Sequence, residues 1–370
     1  MKSPKTTAVA ATAIAVILPT TIMAQTSGGR VGQEKSYPDI IAGMGHGPGN
    51  ANRVRISDAR GNLTTVDFLA YAGGQMGVNV AGGQLDGAGR AEIVTGPGPG
   101  ATYGPQVRGF VNDGSAIAQV NFYASGTLKY GINVATGQLD GGASHEILTG
   151  AGPGQAFGPQ VRGWSTGSTS GSLTITPMAK INYFAYDTVR YGAGIASGDV
   201  DADGYSEIVT TPGPGPHFGP QVRGFDFDGN VLRSMGKINF NAFQTTGFSG
   251  QARVGDVDAD GFGEILAAPG PCQAFSAEFL AFDFDGSAVQ QVADFYVDLG
   301  IPLAYGGRMG VADVKLEGRD QLLAAPGPGP AAPALVEAWQ YPSGKPFLLL
   351  SFTPFASAYG VELASGILGF

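Results

Sequence analysis

Short apolar runs alternate with clusters of Gly, Pro and Asp along almost the whole chain, and no stretch keeps a helical period. The clearest unit is Tyr191 to Phe225, YGAGIASGDVDADGYSEIVTTPGPGPHFGPQVRGF. It predicts an apolar strand after an aromatic-Gly pair, an acidic loop and a second strand at Ile208-Val209-Thr210. A Gly/Pro turn and a third strand at Val222 to Phe225 follow. A fourth run comes later in each unit, as in Lys180-Ile181-Asn182-Tyr183-Phe184 and Lys237-Ile238-Asn239-Phe240.

The unit repeats. Its starts are Met76-Gly77, Tyr130-Gly131, Tyr191-Gly192, Phe248-Ser249, Tyr305-Gly306 and Tyr359-Gly360, in steps of 54, 61, 57, 57 and 54 residues. Repeats of that length with four short strands predict an all-β propeller. The last copy stops at Phe370, and its continuation lies at the other end of the chain. There Asp39-Ile40-Ile41-Ala42-Gly43 reads like Glu92-Ile93-Val94-Thr95-Gly96. The expectation is therefore six four-stranded blades in a ring. The Val361 to Ser365 strand would close it as a latch beside Ile40-Ile41, leaving no unpaired terminal edge. The long step contains Ser165 to Pro177, rich in Ser, Thr and Gly, read as an exposed loop or hairpin extension.

The N-terminus changes the compartment. Lys2 and Lys5, an apolar run from Ala8 to Leu18 and Ile22-Met23-Ala24 read as a signal peptide over residues 1–24. Residues 25–36 read as a polar leader, and 37–370 as one propeller domain. The apolar run is too short to span a membrane with normal margins, and none is expected after cleavage. The formal charge is −9. Without residues 1–24, which carry two lysines and no acid, 19 basic residues face 30 acidic ones, a balance of −11. Such a surface is a poor partner for nucleic acid. Cys272 is the only cysteine, so no intrachain disulfide can form. The expected location is secreted, periplasmic or at the cell surface.

The acidic loops carry the most specific chemistry. DVDADGYSE runs from Asp199 to Glu207 and DVDADGFGE from Asp256 to Glu264. Carboxylates at alternate positions converge when the chain coils tightly, and Gly204 and Gly261 permit the bend. Asp199, Asp201 and Asp203, the carbonyl of Tyr205, and Glu207 form one all-oxygen set. Asp256, Asp258 and Asp260, the carbonyl of Phe262, and Glu264 form the second. Such sets suit Ca²⁺, though the closing acid is too early for an EF-hand. The alternative is a solvated acidic turn. Gln84/Asp86/Glu92 and Gln138/Asp140/Glu146 keep the spacing but have Gln at position one and lose the acid at position five, so each is a weak site or a metal-free turn. In the Asp313/Lys315/Glu317 loop the lysine is expected to replace the cation.

The order aromatic-Gly, strand, DxDxDGxxE, apolar strand, Gly-x-Pro resembles the FG-GAP repeat of integrin α-subunits and many bacterial extracellular proteins. Tyr191-Gly192 stands for FG; Pro212-Gly213-Pro214 and Gly150-Ala151-Gly152-Pro153 stand for GAP. The resemblance covers nearly all of residues 37–370. It implies a β-propeller with Ca²⁺ in the acidic loops, at Asp199, Asp201, Asp203, Glu207, Asp256, Asp258, Asp260 and Glu264. Integrin propellers have seven blades, whereas the count here is six.

Other repeated residues have two readings each. Tyr103, Phe157, Phe218 and Phe275 follow the Gly/Pro turns. They form either an arc for stacking on sugar rings or packing between blades. Arg108, Arg162 and Arg223 in Gly-Pro-Gln-Val-Arg-Gly read as inter-blade pairs with buried carboxylates rather than a ligand ring. Residues that break the repeat are candidates of another kind: His46 and His217 on opposite copies, Cys272, Trp164 and Trp339. There is no His-Glu-x-x-His, and no catalytic residue is assigned. The expected function is that of a secreted calcium-binding propeller acting as a non-catalytic binding or adhesion module for a surface glycan or protein. A propeller-type polysaccharide lyase or hydrolase with a central site is the alternative, and a structural part of an extracellular layer is a third.

Overall fold

A computed structural model describes residues 36–369 except 127–128, 170–171, 188–189, 245–246 and 343. The expected signal peptide and all of the leader except Ser36 lie outside the described residues. The described chain forms a six-bladed β-propeller, and every blade is a four-stranded antiparallel sheet. Blade one contains β4 (Val78–Gly83), β5 (Glu92–Pro97), β6 (Gln106–Phe110) and β7 (Ala116–Tyr123). Blade two contains β8 (Ile132–Gly137), β9 (Glu146–Ala151), β10 (Gln160–Thr169) and β11 (Ser172–Phe184). In blade three are β12 (Ala193–Gly198), β13 (Glu207–Pro212), β14 (Gln221–Phe227) and β15 (Leu232–Asn241). Blade four has β16 (Gly250–Gly255), β17 (Glu264–Pro269), β18 (Glu278–Phe284) and β19 (Val289–Asp298). Blade five has β20 (Gly307–Ala312), β21 (Gln321–Pro326), β22 (Val336–Gln340) and β23 (Phe347–Phe352).

The latch blade joins both ends of the domain in the order β24 (Val361–Gly366), β1 (Asp39–Met44), β2 (Arg53–Ser57) and β3 (Leu63–Leu69). Strand β24 pairs with β1 over six residues, from Asp39 opposite Gly366 to Met44 opposite Val361. The innermost strands β4, β8, β12, β16, β20 and β24 follow one another around the axis and close on themselves. Among the described residues no helix is long and apolar enough to cross a membrane.

Burial explains the pattern of each strand. The second strands β5, β9, β13, β17 and β21 are buried along their whole length, because both faces meet a neighbouring blade. They therefore read as unbroken apolar runs. Outer strands such as β15 meet solvent and alternate. Six apolar cores result, one at each blade junction. Val361 and Leu363 enter the core between blade five and the latch blade, and Leu368 enters the next one round. The Ser165 to Pro177 stretch is a hairpin extension, with Ser165 opposite Thr176.

The repeated arginines differ from expectation. Arg108, Arg162 and Arg223 donate to the carbonyls of Ala70, Ala124 and Ala185 in the preceding blade, at 2.5, 2.5 and 2.6 Å. Their guanidinium groups lie over aromatic rings, with Arg162 4.7 Å from the Trp164 centroid. Backbone carbonyls and ring faces do the work expected of carboxylates, without the need to bury a second charge.

Candidate functional site

Antiparallel blades place successive loops on alternate faces. The acidic loops, between first and second strands, share one face with the hairpins between third and fourth strands. The Gly/Pro turns, between second and third strands, share the other with the aromatic-Gly starts. The two sets of sequence candidates therefore occupy opposite faces.

On the acidic face two triads converge. The carboxylate oxygens of Asp199, Asp201 and Asp203 lie within 4.8 Å of one another, as do those of Asp256, Asp258 and Asp260. Ala202 and Ala259 adopt φ of 59° and 67° to make this coil, a conformation that alanine rarely takes. Gly204 and Gly261 follow at 91° and 93°. Asp199 Oδ1 and Asp201 Oδ1 are buried without hydrogen-bond partners, and so is Glu264 Oε1. Orphaned acceptors of this kind fit a hard cation such as Ca²⁺.

Glu207 and Glu264 stand outside the triads. Their Oε2 atoms accept the N–H of Val200 and Val257, both at 2.7 Å. Glu92 and Glu146 hold Leu85 and Leu139 in the same way, at 2.7 and 2.9 Å, in the loops with fewer acids. Position nine is thus a buried clamp on the loop in all four blades. In the latch blade Asp39 does this across the chain ends, accepting from Leu368 N at 3.2 Å. Burial pushes Glu92 and Glu146 up to about 7, and Glu207 and Glu264 up to about 8. Tyr205 and Phe262 are exposed at the loop tips. Asp226 and Asp283, on third strands, add acid beside Asp203 and Asp260 and were not singled out from sequence. In the fifth loop Lys315 pairs with Glu317 at 2.8 Å, as expected.

On the Gly/Pro face Phe157, Phe218 and Phe275 are half-buried. Each stands edge-on to the aromatic of its own blade's start: Tyr130 at 5.7 Å, Tyr191 at 5.7 Å and Phe248 at 6.4 Å between centroids. Tyr103 Oη accepts the N–H of Gln75 at 2.9 Å. These contacts fix the rings within the turns. Cys272 is half-buried in its turn, and His217 is exposed.

The turns surround an axial mouth of about 60 Å³ that leads into the channel between the innermost strands. At the second residue of those strands stand Asn79, Asn133, Gly194, Gln251, Arg308 and Glu362. Arg308 Nε donates to Glu362 Oε1 at 2.5 Å, and both side chains are almost fully buried. His46 Nδ1 lies 3.5 Å from the same oxygen. Burial alone would raise Glu362, but the adjacent Arg308 outweighs it and holds the carboxyl below its ordinary range. Burial pushes His46 down, which favours neutral imidazole. Its Nε2 is buried with no hydrogen-bond partner. Glu362 is the one carboxylate among the described residues that line the mouth. Of the symmetry-breaking residues singled out from sequence, only His46 lies here. Arg253, Arg308 and Glu362 were missed, although each replaces a small or amide residue at its repeat position.

A comparison with protein-family profiles finds no match, and one with the curated proteins finds none. Solved structures with a similar chain path include a lectin of Agrocybe aegerita that recognises non-reducing terminal N-acetylglucosamine. Its identity is 17%, the alignment covers 86% of this chain and 76% of that one, and the TM-score is 0.47. A fucose-specific lectin from Aleuria aurantia is 14% identical, with 81% and 90% covered and a TM-score of 0.40. A Bacillus licheniformis rhamnogalacturonan lyase is 15% identical with a TM-score of 0.36. That alignment covers 82% of this chain and 64% of the lyase. At these values the likeness carries nothing about function, and the propeller assignment rests on the strand order described above.

Proposed function

We propose that this chain is a secreted or periplasmic propeller of FG-GAP type that binds a glycan without transforming it, through its Gly/Pro face. The observation that carries the reading is the axial mouth. There the six-fold repeat gives way to an asymmetric set of amides and charges, with Asn79, Asn133 and Gln251 beside Arg308 and Glu362. Side-chain amides and charge-assisted donors suit a ligand dense in hydroxyls, and rigid turns around them lower the ordering cost of binding. The ring supplies a platform held from six sides.

Calcium belongs to the same proposal as a brace on the opposite face. Asp199, Asp201, Asp203 and Glu207 with the Tyr205 carbonyl would hold one ion, and Asp256, Asp258, Asp260 and Glu264 with the Phe262 carbonyl a second. Glu207 and Glu264 support the loops from beneath. Bound cations would offset the repulsion between the acids and set the loops in one conformation.

The test is a broad glycan array probed with residues 25–370, in calcium and again in chelator. The expected result is binding to one glycan class, weakened by Asn133→Ala or Gln251→Ala at the mouth. Absence of glycan binding in both conditions would overturn the reading in favour of a protein partner or an assembly role.

A further inference from the structure

We infer that the axial channel is an anion site, built to take a carboxylate presented by an acidic glycan, with Arg253 as its charge. Each innermost strand places its fourth residue one layer below the amides of the mouth. Five of these are Ala81, Ala135, Ala196, Gly310 and Ala364; the sixth is Arg253. The one long side chain in a ring of small ones lines both the small cavity it shares with Asn79, Asn133, Gln251 and Glu362 and the deeper channel.

The charge balance at this point is incomplete. Glu362 is engaged by Arg308, so one cation and one anion cancel. Arg253 has no carboxylate within ion-pair distance among the described residues. Its Nη1 donates to the Ala252 carbonyl at 2.8 Å. A guanidinium has five N–H donors and stays charged in proteins, so the remaining donors are available to an acceptor in the channel. Burial makes the charged form costly and the neighbouring Arg308 adds repulsion, with Glu362 only partly offsetting both. A surplus positive charge in the axis of a chain with a formal charge of −9 is a localised feature, not part of a basic surface.

Other groups around the channel match the same ligand. Asn79 and Asn133 each use one amide N–H on a backbone carbonyl of the next blade, Ile132 and Ala193, both at 2.7 Å. This fixes their orientation; Asn133 keeps a second N–H, while the Asn79 side chain also meets His46. The Gln251 amide forms no hydrogen bond with the protein among those described. The cavity these groups share with Arg253 is about 30 Å³, room for roughly two waters. A carboxylate fits that space, whereas a pyranose ring does not. The ring of a uronic acid would therefore rest at the mouth with its carboxylate directed inward. For the size of the ligand this inference rests on the glycan reading; for its charge it does not. A small free anion shares the chemistry, and the experiment separates the two sources.

The experiment measures binding by calorimetry and thermal shift on residues 25–370, using oligogalacturonide, the same oligosaccharide with its carboxyls reduced to alcohols, and sodium acetate. The parent should bind the oligogalacturonide at least about tenfold more tightly than the reduced form, the scale of one charge-assisted hydrogen bond. Arg253→Gln should erase that difference, and Arg253→Lys should restore part of it. Acetate that stabilises the parent but not Arg253→Gln, without a gain from the sugar, supports the anion site and overturns the acidic-glycan ligand. Equal binding of acidic and reduced oligosaccharides by the parent, with no response to acetate, overturns the inference and leaves the glycan reading standing. The comparison of ligands on the parent protein needs no variant to fold.

Discussion

Removing part of the Leu363 side chain tests whether the ring is closed by its own C-terminus. Leu363 is 1% exposed and sits in the core between blade five and the latch blade, with Leu323, Val336 and Ala338. Leu363→Ala removes buried methyl groups from a site that the neighbouring Gly310 backbone limits on one side. A buried Leu→Ala change costs about 3 kcal/mol. A domain of this size unfolds with an entropy of about 0.7 kcal/mol per kelvin, so the melting temperature should fall by about 4 °C. The population of the opened ring should rise roughly a hundredfold. Calorimetry reads the first quantity and amide hydrogen exchange the second. Because β24 packs against both β20 and β4, exchange should accelerate in both neighbouring strands and in β1. Leu69→Ala, at a position 58% exposed on an outer strand, is the control and should change stability by under about 0.5 kcal/mol. An unchanged melt for Leu363→Ala, with faster exchange confined to β24, would show a frayed tail and refute the latch.

Calcium should raise the melting temperature, by about 2.7 kcal/mol of stability per site at a hundredfold excess over Kd. An Asp201→Ala/Asp258→Ala variant should lose that response; a parent that melts identically in calcium and chelator would remove the metal assignment. The clamp glutamates make a prediction about pH. Glu92 and Glu146 ionise at about 7 in the folded chain, above the 4.5 of the free side chain, so the folded state binds more protons between those values. Stability should therefore decrease as pH rises from about 4.5 through 7, and a Glu92→Gln/Glu146→Gln variant should lose less over that window than the parent. Equal slopes for the two proteins would refute the burial argument. Gln321 already occupies the corresponding position in blade five.

The opposite-face arrangement has a consequence for the acidic loops. Their first-position carbonyls accept hydrogen bonds from the next blade: Gln84 from His145, Gln138 from Ser206, Asp199 from Gly263, Asp256 from Asp320 and Ile367 from Ala91. The donor in each case precedes the clamp residue. In the latch blade that residue is Pro38, which has no N–H to offer the Asp313 carbonyl. The junction between blade five and the latch blade therefore lacks a link that the other five have. It relies more heavily on β24 and its core, which is why Leu363 is the informative position.

Strand number, blade number, the split copy and the two acidic loops were all legible in the chain, because each depends on spacing along it. A repeat step needs only an alignment of the chain with itself, and a DxDxDG coil is a local structure. The pairing of β24 with β1 was legible for the same reason: half a repeat at each end has one way to become whole. The role of Glu207 and Glu264 was less so. Their spacing fits a metal ligand, and the hydrogen bonds from Val200 and Val257 N–H to their Oε2 atoms add a clamp that spacing along the chain does not show. Arg108, Arg162 and Arg223 were placed correctly between blades but given the wrong partners, since a carbonyl in the preceding blade leaves no mark on the sequence.

The axial site was decided by tertiary structure alone. Asn79, Asn133, Gln251, Arg308 and Glu362 are separated by more than fifty residues at each step, and each looks like an isolated polar residue in an apolar strand. Only ring closure turns equivalent positions of six strands toward one axis. There Arg308 pairs with Glu362, and Arg253 has no ion-pair partner among the described residues. The sequence by itself determined a six-fold repeat and its turns, because those arise from contacts along the chain. Which departures from the repeat share a site was determined by the ring, because that convergence exists only once all six blades are in place.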